Sequence, residues 1–168
     1  SSSSSPETRM TDTARQLQDA RQLQRLRELR ERKALSALRQ AEAEVATAEH
    51  AVAERQAAMD RLQLARDQLS ERIVGACAPQ LGRLAIYASA AQEDLDDQLE
   101  RTEYALIDDE EALSAARAQA ERARAAWLRA VSQNGSAQTL VGDARKALLR
   151  DRDTRLERED APAPITPL

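Results

Sequence analysis

The chain has 168 residues, with charged residues at 32%, apolar residues at 42%, aromatics at 2% and no Phe. Its net charge of −4 gives no overall basic field for nucleic acid, and the scarcity of aromatics and glycines does not suit a globular core. So much apolar residue in a regular pattern excludes a solvated, disordered chain. What remains is a chain of strong helix formers, with Ala, Leu, Arg, Gln, Glu and Asp dominating.

The start, SSSSSPETRM, is polar and lacks the apolar stretch of a secretory signal. Residues 1–9 read as vector-derived, with Met10 as the natural initiator, and residues 1–13 are expected to be disordered.

A first helix is predicted over 14–74. Every third and fourth residue from Ala34 gives Ala34, Leu38, Ala41, Val45, Ala48 and Val52, then Met59, Leu62, Leu69, Ile73 and Ala76. Only Arg55 and Arg66 break this row, which is the 3-4 spacing of a coiled-coil seam. At about 1.5 Å per residue the helix would be roughly 90 Å long. Leu23, Leu26, Leu29 and Leu35 do not fit the same row, which suggests a shift of phase toward another face. Those leucines then pack on a C-terminal helix or meet a partner.

The segment IVGACAPQLG holds Gly75, Pro79 and Gly82 within eight residues, which marks a loop over 75–82. A second helix is predicted over 83–132, on the row Ala85, Ala88, Leu95, Leu99, Leu106, Leu113, Ala116, Ala120, Ala123, Trp127 and Ala130. Gln92, Thr102 and Asp109 interrupt it. Two long helices joined by a short loop fold back on each other, so the expected fold is all-α, a long antiparallel two-helix coiled-coil hairpin. Trp127 is expected to fill space among small alanines. The stretch SQNGSAQ predicts a break over 133–138, since Asn-Gly is a turn signal. A separate C-terminal helix follows over 139–159. The three prolines of APAPITPL predict a disordered tail over 160–168.

Chemistry-bearing residues are few. His50 is the only histidine and has no His or Cys at metal spacing; Cys77, the only cysteine, cannot form an intrachain disulfide, which fits a reducing cytoplasm. Nucleotide-binding and metalloprotease motifs are absent, and a two-helix hairpin offers no concave site for catalysis. No cofactor, metal or catalytic residue is expected. No apolar run reaches the ~18–20 residues of a membrane span.

The charges are unevenly placed. Residues 21–39 carry seven basic groups against Glu28 and Glu31, whereas residues 92–111 carry ten acidic groups against Arg101 alone. In an antiparallel hairpin the acidic belt faces residues 46–65, which offer only Arg55 and Arg61. These runs are either solvated faces or docking surfaces for different partners.

The stretch LQRLRELRERKALSALRQAEAEVATAE, residues 23–49, with its Leu-x-x-Leu-Arg-x-x-Arg pattern, resembles the amino-terminal helix of the type III secretion ATPase stalk proteins. This is the FliJ/YscO family, and the likeness is nearest to its plant-pathogen members. The endings ARAQAERARAAWLRAV and ARKALLRDRDTRLERED are similar too, so the resemblance spans most of residues 14–160. The proline tail departs from the family pattern. The resemblance implies a cytoplasmic stalk, peripheral at the inner membrane when assembled, which binds a hexameric secretion ATPase and couples it to the export-gate membrane protein. It implies export chaperones as further partners. The stalk would bias the six subunits through unequal contacts. By location and charge, the implied ATPase contacts are Arg27, Arg30, Arg32, Arg145, Lys146, Arg150 and Arg152, with Leu23 and Leu26 as apolar contacts. A homo-oligomer is also compatible with the apolar surface that a two-helix seam leaves open. The alternatives are a generic coiled-coil scaffold and an export-chaperone-binding adaptor; nucleic acid is not an expected partner.

Overall fold

The structure, a computed structural model, describes residues 6–75 and 81–161, with the side chains of all but residues 6–11, 81 and 83. It contains two helices, α1 over Pro6–Gly75 and α2 over Leu81–Asp160. The fold is all-α, and the two helices run antiparallel in each of the two compact units into which the chain divides.

Both helices follow from composition. Within α1 the one proline is Pro6, at the first position, where its missing N–H would have no helical partner in any case. No proline falls in α2. The cysteine Cys77, Pro79 and the tail from 162 onward lie outside the described residues.

Unit 1 comprises residues 1–37 and 123–168. Its core is a cluster of Leu17, Val141 and Leu148, with Ala20 and Ala144 packed against it. Further along, Ala123, Ala130 and Ala137 are buried, Ala137 being only 1% exposed. A buried aliphatic side chain of this size stabilises by ~1.5–3 kcal/mol and an alanine methyl by roughly 0.8 kcal/mol. The Leu17 cluster is therefore the strongest packing in the unit.

Between these apolar layers lies a polar one. Asn134 is buried and its Nδ2 donates to Glu31 Oε2 at 2.6 Å, while Arg27 Nη1 donates to Gln133 Oε1 at 2.6 Å. Asn134 Oδ1 is buried with no partner among the described residues. Polar side chains placed in a seam cost stability and specify one register, because a slipped pairing would leave them facing methyl groups.

Unit 2 comprises residues 38–122. Leu38, Ala41, Leu99 and Leu113 are buried. Three interhelix ion pairs fix its antiparallel register: Glu49 with Arg117 at 3.5 Å, Arg55 with Asp109 at 3.0 Å and Arg66 with Asp96 at 3.1 Å. As the α1 number rises, its α2 partner's falls.

The structure corrects four boundaries or phases read from the sequence. Helix α1 begins at Pro6 rather than 14, since PETRMTDTARQ contains no breaker after its proline. Helix α1 runs to Gly75 and α2 begins at Leu81, so Gly75 and Gly82, both expected in the loop, are helical. No break interrupts residues 133–138, and 139–159 are not a separate helix: α2 runs through Asn134-Gly135 without interruption. The seam row, continued past Ala130, falls on Asn134, Ala137, Val141, Ala144 and Leu148, all buried or half-buried, and this packing overrides the local turn signal of Asn-Gly.

The fourth correction concerns the amino-terminal leucines. No phase shift occurs, because the α1 row continues back from Ala34 through Glu31, Arg27, Gln24 and Ala20 to Leu17, each buried or half-buried. Glu31 and Arg27 take seam positions because α2 offers Asn134 and Gln133 opposite them.

Candidate partner-binding surface

Every residue expected to contact a partner lies in unit 1. Arg30, Arg32, Arg145, Lys146, Arg150 and Arg152 are exposed. Arg27 is half-buried and committed to Gln133 across the seam, so its guanidinium organises the fold. Leu23 is half-buried beside the seam, whereas Leu26 and Leu29 are 44% and 60% exposed.

The exposed cations do not form one face. Arg145 precedes the buried Leu148 by three residues and Arg152 follows it by four, so both flank the seam on helical geometry. On α1, Arg21 and Arg25 line an open groove of about 340 Å³ whose floor includes Leu17 and Leu148. Cations around an apolar floor suit an acidic, partly apolar segment of a partner. Lys146 and Arg150 fall on other turns of α2. The two groove arginines are additional to the residues singled out from the sequence. Their signal is their position four and eight residues after Leu17, which becomes legible once the seam row is traced that far back.

Charge divides by unit. Unit 1 holds 16 Lys and Arg against 11 Asp and Glu, and unit 2 holds 9 against 18, which gives +5 and −9. Among the described residues, the acidic belt is neutralised across the helices only by Arg55 and Arg66, at Asp109 and Asp96.

The described residues contain no group of three or more His, Cys, Asp or Glu placed to hold a metal ion. The His50 Nε2 lies 3.0 Å from Glu54 Oε1, one turn along the same helix, with its side chain 75% exposed. Trp127 is half-buried in the seam, and its buried Nε1 has no partner among the described residues. No described helix is long and apolar enough to cross a membrane.

No family model, curated protein or solved structure matches the chain.

Proposed function

We propose that this chain is a partner-binding helical hairpin without catalytic groups, and that it serves as the stalk of a type III protein secretion apparatus. In that role unit 1 docks on the hexameric secretion ATPase, in the cytoplasm beside the inner membrane, and the chain links the ATPase to the export-gate membrane protein. The observation that supports docking through unit 1 is its excess of basic over acidic residues, with Arg21 and Arg25 lining the Leu17–Leu148 groove. The choice of ATPase rests on the resemblance of residues 23–49 to the stalk family.

The mechanism needs no reacting group on this chain. A single asymmetric helix pair cannot touch six equivalent subunits alike, so its contacts favour different conformations in different subunits. Export chaperones are further candidate partners under the same reading.

The test is a hexamer-formation and ATP-hydrolysis assay with the cognate ATPase. Added chain is expected to promote both, and Arg145→Ala/Arg152→Ala is expected to weaken the effect by about tenfold, with a similar loss in high salt. No binding to the ATPase sinks the reading. Binding that ignores both the arginines and salt moves the contact to Leu26 and Leu29.

A further inference from the structure

Two short rows on α2, one in each unit, share a pattern and differ in sign. In unit 2, Glu103, Ile107 and Glu110 are exposed and spaced by four and three, so they share one helical face. Glu100, Asp96 and Glu93 extend that face at the same spacings. Among the described residues only Asp96 of this face meets a cation, Arg66 at 3.1 Å. In unit 1, Arg145, Leu149 and Arg152 are also exposed and also spaced by four and three. Each row thus carries an apolar residue between two like charges, with Ile107 50% and Leu149 52% exposed.

We infer that the two rows recognise each other between copies of the chain, the acidic row of one copy packing along the basic row of another. Ile107 then covers Leu149, and the flanking carboxylates meet the flanking guanidiniums, which is how charges beside an apolar seam select partners in coiled coils. A second copy is the occupant because the two rows are complementary: the same 4-3 spacing, an aliphatic residue at the centre of each and opposite charge. The balance of whole units agrees, +5 in one and −9 in the other. Since every copy carries both rows, association either closes as a two-fold pair or propagates from copy to copy. This inference is independent of the secretion reading, and its test contains no ATPase.

Sedimentation equilibrium of the full chain reads it directly. At about 20 mM salt the chain is expected to self-associate, and at about 500 mM to dissociate with an association constant at least ~tenfold lower, because exposed charges are screened. Glu103→Arg/Glu110→Arg and Arg145→Glu/Arg152→Glu are each expected to be monomeric alone, with helicity retained by circular dichroism. Mixed in equal amounts, they are expected to associate again, one variant's new cations meeting the other's new anions. Should either charge-reversed chain lose helicity, Ile107→Ser and Leu149→Ser serve instead, and each is expected to weaken low-salt association.

A chain that is monomeric at low salt overturns the inference, as does a mixture of the two variants that stays monomeric. A monomeric chain that retains added poly-glutamate overturns it in favour of a foreign acidic partner. Association unchanged by the charge reversals places the contact on another face.

Discussion

Arg55 and Asp109 each interrupt the apolar seam of their own helix, and the two interruptions meet: Arg55 Nε donates to Asp109 Oδ2 at 3.0 Å. Their side chains are 43% and 22% exposed, so solvent screens the pair. A double-mutant cycle with Arg55→Ala and Asp109→Ala is expected to give a coupling of about 0.5–1 kcal/mol in urea unfolding. Replacing both residues by Leu restores two seam positions and is expected to exceed wild-type stability by about 1 kcal/mol. Additive single mutants would mean that the two side chains do not stabilise each other.

Gly135 and Gly142 lie inside α2, neither has positive φ, and a methyl group added to either would meet nothing within 4 Å. Gly in a helix interior costs about 0.5–1 kcal/mol relative to Ala through the freedom its backbone loses. Gly135→Ala and Gly142→Ala are each expected to stabilise by that amount and to raise the thermal midpoint. A lowered midpoint for Gly135→Ala would mean that the helix needs flexibility there.

Asn134 gives Glu31 one hydrogen bond, and its own Oδ1 is buried with no partner among the described residues. Asn134→Leu removes that orphan, and Glu31 retains access to water because it is only half-buried. The expected result is a gain of about 1 kcal/mol together with a looser register. Spin labels on the two helices of unit 1 would report the second effect as a broadened distance distribution. A sharp, unchanged distribution would show that the apolar layers alone set the register.

Ala137 has the least exposed side chain described, at 1%, so no space remains for a larger one. Ala137→Leu is expected to cost about 1–3 kcal/mol by overpacking. Ala118→Leu, at an exposed position of the same helix, is expected to stay within about 0.5 kcal/mol. Equal effects at the two sites would mean that the unit 1 seam adjusts to volume.

The seam was legible wherever apolar residues carried it. The row from Ala34 through Val52 and the row from Leu95 through Ala130 predict which faces the helices bury. It was obscured where polar residues occupy seam positions, because Gln24, Arg27 and Glu31 look like solvated residues until Gln133 and Asn134 are placed opposite them. Asn134-Gly135 misled for the same reason. Turn propensity is a local property, whereas the burial that keeps this segment helical comes from a helix about a hundred positions away in the chain. The acidic belt, by contrast, was legible as charge, and the antiparallel register predicted its pairing with Arg55; the second cation is Arg66, just beyond the stretch 46–65 expected to face the belt, rather than Arg61.

Among the described residues of unit 2 the buried ones are Leu38, Ala41, Leu99 and Leu113; none of the described side chains from 42 to 75 on α1, or from 84 to 98 on α2, is buried. From the Arg66–Asp96 pair onward, separating the helices therefore exposes little that was dry, and the free energy of local opening should fall from Leu99 toward Gly75 and Leu84. Amide hydrogen exchange would record this as a gradient of protection along one continuous helix rather than as a boundary between folded and unfolded parts. A partner approaching that part of unit 2 would meet two helices that separate cheaply, with Leu69, Ile73 and Tyr87 lining the groove between them.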